Sequence, residues 1–354
     1  MLQPYDIAAY VWPAYHDEPR WREFMPGGEG EWETMRRSKP MFEGHYQPRV
    51  PMWGYTDESD PKDMAQKIEA AIAHHVNVFI FDWYWYENQP FLEEALNEGF
   101  LKARNCNEMG FFLMWANHDA STLWMYDRSH EHEVIWPGSV TESQFETIMD
   151  RVIARYFSYP SYYKIDGCPV FSTYEVKTLV NGLGGTKKTK KALDLFRKKV
   201  KDAGFPGLHL QAIAWKVNRT LIKKLGFDSI TSYQWAHHVR PKGPYEDWAG
   251  LNVAKWEEWN KKYPISYFPH VSIGWDTNPR FKVYKENTIV NNKPELFGKY
   301  MEHAMEFIKQ NKITPPLITV NSWNEWCEGS YLEPDMKYKM AYLEAVKKAV
   351  ENKR

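Results

Sequence analysis

Two glutamates, Glu325 and Glu328, stand three residues apart in the run Asn321-Ser-Trp-Asn-Glu-Trp-Cys-Glu-Gly-Ser-Tyr-Leu-Glu-Pro-Asp335. On a helical or tight-turn backbone, residues i and i+3 lie about 5–6 Å apart and face the same way. Roughly that separation brings the two carboxyl groups of a retaining glycosidase together across one sugar. The plainer reading is a solvated loop. Solvated loops do not usually carry large aromatics at the density of Trp323, Trp326 and Tyr331. The apolar run Leu317-Ile-Thr-Val320 just before the motif reads as a buried strand that would fix its position.

Similar runs recur along the chain, at residues 7–11, 76–82, 110–115, 169–174, 208–213, 229–233, 265–270 and 317–320. Pro269 weakens the seventh. Helical patterns fill the gaps, near residues 61–74, 90–105, 141–157, 187–203, 218–225, 250–262, 295–311 and 337–352. Asp60-Pro61 caps and starts the first of these. The lysine run from Lys187 to Lys201 belongs to a helix with Leu193, Phe196 and Val200 on its apolar face, so its charges form a solvated face. Alternation of this kind predicts an α/β fold, a single (β/α)8 barrel over residues 1–354. An open doubly wound sheet would want a glycine-rich phosphate turn after its first strand. Here that strand runs into Trp12-Pro-Ala-Tyr-His16 instead. Residues 12–59 read as a long ordered loop over the barrel mouth.

In such a barrel the active site forms where the strands end at their C-terminal edge. The residues expected there are Tyr10, Trp12, Tyr15 and His16 after the first strand, and Asp82, Trp83 and Trp85 after the second. Trp115, Asn117 and His118 follow the third, Glu175 the fourth, Tyr233 and Trp235 the sixth, and Trp275 the seventh. Trp323, Asn324, Trp326 and Tyr331 surround the glutamates themselves. Flat aromatic faces match the C–H faces of sugar rings, and Asp, Asn, Glu and His match their hydroxyl rims. The set predicts an oligosaccharide or polysaccharide substrate. Glycosidic hydrolysis needs a proton donor and a second group at the anomeric carbon. Glu325 and Glu328 are the best pair. Glu175 and Asp82 are the reserve, and a split between the fourth and seventh strands would nominate Glu175 and Asp276.

Composition narrows the rest. With 354 residues and a net charge of −1, nothing points to nucleic acid or an anionic membrane. Seventeen Trp and 22 Tyr exceed what a core absorbs easily, because each carries a polar atom that needs a partner. Cys106, Cys168 and Cys327 form neither a disulfide framework nor a zinc spacing, and Cys327 reads as packing. The pairs His74-His75 and His237-His238, and His130 with His132, lack an identifiable third ligand, so no metal and no cofactor is expected. No apolar run is long enough to span a membrane. The chain opens almost directly on a strand with no signal peptide in view. A secreted or periplasmic location stays open if a leader precedes it, and a cytoplasmic one otherwise. Oligomeric state is not readable.

The motif from Asn321 to Asp335, with Ala9-Tyr10, Trp12-Pro-Ala-Tyr-His16 and Phe81-Asp-Trp-Tyr-Trp85, resembles the WbsX-like proteins over most of the chain. These are often labelled glycosyltransferases from their place in polysaccharide gene clusters. They are similar to family 99 glycoside hydrolases, the endo-acting α-mannosidases and α-mannanases. The resemblance implies a (β/α)8 barrel that acts with retention and without a metal. It implies that Glu325 matches the residue that deprotonates the sugar 2-hydroxyl, giving a 1,2-anhydro intermediate, and that Glu328 matches the general acid/base. A glycosyltransferase of surface-polysaccharide synthesis and a non-catalytic glycan-binding barrel are the competing expectations.

Overall fold

A computed structural model describes residues 4–353. Eight strand positions lie in one parallel ring. They are β1 (Asp6–Val11), β2 (Val78–Tyr86), β3 (Gly110–Trp115), β4 (Cys168–Thr173), β5 (His209–Ile213), β6 (Ser229–Thr231), β7 and β8 (Leu317–Asn321). β7 is broken into Ser266–Tyr267, which pairs with β6, and His270–Ser272, which pairs with β8. The break falls at Phe268-Pro269, because proline has no N–H for the ladder. β1 pairs with both β2 and β8, which closes the ring. The expected (β/α)8 barrel is therefore the observed fold, and its weakest predicted strand is the interrupted one.

Amphipathic helices cover the ring. Pro61–Ala73 begins at an Asp60 cap whose side chain accepts from the Lys62 N–H, and it buries Met64, Ile68 and Ala71. Glu142–Val152 starts with a capping box between Thr141 and Gln144. Thr186–Asp202 buries Leu193, Phe196 and Val200 and leaves its lysines in solvent. Among the described residues, no helix is long and apolar enough to cross a membrane.

Two departures from the expected elements shape the mouth. β2 does not stop at Asp82. It runs on through Tyr86 and folds back as a hairpin with Gln89–Phe91. The loop after β1 is ordered around Trp21, Phe24 and Trp32, all buried, and carries a short helix at Trp32–Arg37. It also brings the buried polar side chains Glu31, His45, Gln47, Arg49 and Glu58 to the ends of β7 and β8.

Candidate active site

The glutamate motif is built by its own backbone. Ser322 Oγ accepts from the Glu325 N–H at 2.7 Å and donates to the Ser330 carbonyl at 2.6 Å. Ser330 Oγ donates to the Asn321 carbonyl at 2.6 Å. Asn324-Glu325 then pairs antiparallel with Ser330-Tyr331, leaving a single turn over Trp326–Glu328. Gly329 closes that turn at φ +65°, where a Cβ would sit 2.6 Å from Arg49 Nη1. Glycine is favoured by conformation, and a Cβ would have to displace the Arg49 guanidinium.

A buried polar frame holds the motif against its neighbours. The Asn324 amide accepts from the Trp12 N–H at 2.7 Å and donates to the Trp12 carbonyl at 2.8 Å. It also donates to Glu58 at 2.7 Å. Lys67 Nζ bridges Glu58 and Glu333 at 2.7 and 2.6 Å, and Glu333 accepts from Trp326 Nε1 at 2.7 Å. The two buried carboxylates hold the lysine's proton affinity above its ordinary value, against the opposing effect of burial.

Glu325 and Glu328 line a cavity of about 530 Å³ at the C-terminal mouth of the barrel. Trp12, Asp82, His118, Glu175, Tyr233 and Trp275 line it too. The Tyr233 hydroxyl lies 2.6 Å from Glu325 Oε1 and 2.8 Å from Asp82 Oδ2. One phenol proton can serve only one of these carboxyl groups at a time. Asp82 is pushed well above the usual carboxyl range by burial. Burial and the neighbouring Glu328 do the same to Glu325. Glu328 is raised to about 7, mainly by burial, with Arg280 opposing. Burial thus raises the proton affinity of all three carboxyl groups, the direction a general acid requires. Asp82 Oδ1, Glu325 Oε2, Glu328 Oε2, Gln234 Oε1, His237 Nδ1 and Trp275 Nε1 are buried on this lining with no hydrogen-bond partner in the protein.

The other expected residues lie outside the lining, and strand parity explains many of them. Successive strand side chains point to opposite faces. Asp82 and Tyr84 line the cavity, so Trp83 and Trp85 point away and stack on each other at 5.8 Å. Met114, Ala116 and His118 line it, so Trp115 packs on Phe145. Asn117 instead ties the Glu175 backbone, accepting from its N–H at 2.8 Å and donating to its carbonyl at 2.9 Å. Tyr10 lies beneath the cavity, its ring 4.7 Å from that of Tyr233. Tyr15, His16, Trp235 and Trp323 are buried. Trp326 stacks on Tyr331 at 3.9 Å behind the motif, and Asn324 belongs to the frame.

The alternative carboxylates are occupied. Asp276 is enclosed by Arg49 at 3.0 Å, His45 at 2.8 Å and Gln47 at 2.9 Å, and Arg49 holds its carboxyl well below the usual range against burial. Glu175 lines the cavity but accepts from Thr178 at 2.6 Å and meets Lys216 at 3.3 Å, and these contacts lower its affinity for a proton against the effect of burial. Cys327 is fully buried against Met35. Among the described residues, no group of three or more His, Cys, Asp or Glu side chains could hold a metal ion.

Sequence reasoning missed Arg280, Glu31, Tyr84, Trp124 and the lining role of His237. Arg280 Nη2 lies 3.9 Å from both Glu325 Oε2 and Glu328 Oε1, and its Nη1 meets Glu31 Oε1 at 2.7 Å. Nothing in the local sequence marks either residue of that pair, because they meet only through the fold.

Fold and cavity together define a (β/α)8 barrel with a carboxyl-lined mouth. The chain belongs to the glycosyltransferase WbsX family, whose model matches residues 7–346. It is 25% identical over 362 residues to the uncharacterized protein WxcX of Xanthomonas campestris pv. campestris, covering 98% of this chain and 50% of that one. The chain therefore spans about half the length of that curated relative. It is also similar to the glycoprotein endo-alpha-1,2-mannosidase of Xenopus laevis, 22% identical over 198 residues, covering 54% of this chain and 40% of that one. In structure it resembles the GH99 endo-alpha-mannosidase of Bacteroides thetaiotaomicron, with a TM-score of 0.67 at 14% identity, covering 100% of this chain and 98% of that one. That last likeness is one of fold. The expected kinship with WbsX-like proteins and with family 99 is thus the one found.

Proposed function

We propose that the chain is a retaining glycoside hydrolase acting on a glycan, with α-mannosides the first substrates to test. The observation that carries this reading is the cluster of buried polar atoms without protein partners on one cavity. Such atoms are rare in folded proteins and mark groups kept for something else. They include acceptors and donors, and sugar hydroxyls can pair with both. The aromatic faces of Trp12, Tyr84 and Trp275 on the same cavity suit the C–H faces of the sugar.

In this reading Glu328 is the acid that protonates the leaving oxygen. Glu325 is the base or nucleophile on the other side of the reacting carbon. The Tyr233 hydroxyl steadies the Glu325 anion by donating to Oε1. Similarity to endo-α-mannosidases supports the variant in which Glu325 takes the proton of the 2-hydroxyl and that oxygen displaces the leaving group. Glu328, then a carboxylate, takes a proton from the water that opens the anhydro ring, and Glu325 returns its proton to the 2-oxygen. Protons balance, and the anomeric configuration is kept by two inversions.

The test is incubation of the full chain with a panel of α- and β-linked oligosaccharides, and separately with nucleotide sugars and acceptors. Release of shorter glycans without any nucleotide is expected. Transfer from a nucleotide sugar, with no hydrolysis, would replace this reading by the transferase one.

A further inference from the structure

Arg280 is a single buried cation among three carboxyl groups. Its guanidinium makes a close ionic contact with Glu31 at 2.7 Å and stays 3.9 Å from Glu325 and from Glu328. Glu31 is itself immobilised. It is fully buried, its second oxygen accepts from Trp12 Nε1, and its backbone N–H donates to the Ala14 carbonyl at 2.9 Å. Trp12 is clamped in turn by the Asn324 amide. Glu31 therefore cannot follow Arg280 into the cavity, and Arg280 is drawn back toward Glu31.

Counting charge around the pair gives the consequence. On the side of Glu31, Tyr15 and Cys327 are kept neutral by burial. Across the cavity, Asp82 and Tyr233 bring no cation to Glu325. Among the other cavity residues, Lys216 sits on Glu175 and Lys285 sits over the ring of Phe281. His118 faces the site with its proton affinity lowered by burial. Burial raises the proton affinity of Glu31 itself, and the contacts with Arg280 and Trp12 oppose that and favour its anion. With the near side of Arg280 facing the Glu31 anion, ionising both Glu325 and Glu328 would leave a poorly compensated buried charge.

We propose that Glu31 is a positioning residue that holds Arg280 off Glu325 and Glu328, and so keeps one proton on that pair at neutral pH. The proposal rests on the acid and base roles given above and deepens them. Nothing local marks Glu31 for this role. It lies almost 300 residues before the pair, in a loop that reads as a cover for the barrel.

The experiment is carboxyl 13C NMR of the full chain labelled at glutamate, titrated with pH, with Glu325→Gln and Glu328→Gln assigning the pair. It needs no turnover, so a failed hydrolase reading and a failed Glu31 reading are told apart. Wild type should show a carboxyl of the pair still protonated above pH 6. Glu31→Gln should move that titration down by about one unit or more, because the released guanidinium can close on both carboxylates. Arg280→Gln should move it up. Glu31→Asp should lie nearer wild type. Where hydrolysis is measurable, the alkaline limb of kcat/KM should shift with the titration in Glu31→Gln, about tenfold per unit at a fixed high pH, with KM little changed. A Glu31→Gln titration superimposable on wild type would overturn the proposal, as would a wild-type pair fully ionised by pH 5. If Glu31→Gln does not fold, the wild-type titration and the direction of the Arg280→Gln shift decide.

Discussion

At the scale of single residues, chemistry depends on which carboxyl groups keep a proton. Asp276 and Glu175 are surrounded by donors and cations and stay ionised. Glu325 and Glu328 share one cation at 3.9 Å, and burial raises the affinity of both for a proton. With Glu328 near 7, kcat/KM should fall as pH rises through that value, because the acid form is lost. Stability carries the same sign. Between the ordinary carboxyl range and 7 the folded chain binds a proton that the unfolded chain has released, so stability falls as pH rises through that window. Glu328→Gln should therefore raise stability at pH 8 by about 1–3 kcal/mol while removing most activity, which calorimetry and kinetics on one sample would show. The pair itself was legible as a spacing of three between acids among aromatics. Arg280 and Glu31 were not, because no local pattern encodes a contact made through tertiary structure. Three of the eight expected tryptophans, Trp83, Trp85 and Trp115, could have been reassigned from parity alone. Once Asp82 is taken as facing the site, Trp83 and Trp85 must face away.

At the scale of elements, the barrel was legible because parallel strands buried on both faces read as continuous apolar runs. The length of β2 was not, because a hairpin extension has the same aromatic composition as a lined loop. The broken β7 was signalled by Pro269. Two predictions belong here. Lys67→Met leaves Glu58 and Glu333 buried without their cation, at a cost of about 3–5 kcal/mol. Chemical denaturation should show that loss, and a change below about 1 kcal/mol would mean the frame is not needed. Gly329→Ala forces a side chain into a left-handed turn and onto Arg49. It should cost about 1–2 kcal/mol from the backbone alone, more with the clash, and should lower kcat more than it raises KM.

At the scale of the whole molecule, the loop after β1 packs on the turn after β8, so the two ends of the ring stabilise each other. We propose that residues 1–354 behave as one catalytic unit. A calorimetric enthalpy equal to the van't Hoff enthalpy is expected, and two resolved transitions would divide the chain. The central claim is that this unit cleaves a glycosidic bond through Glu325 and Glu328 with retention. The most direct measurement is proton NMR of the first product formed from a cleaved α-mannoside, or from whichever glycan of the panel is turned over, for wild type, Glu325→Gln and Glu328→Gln. The account predicts that the substrate's anomeric configuration appears first in the wild-type product and that each variant loses about 10²–10⁴-fold or more in rate. An inverted first product, or unchanged rates in both variants, would contradict it.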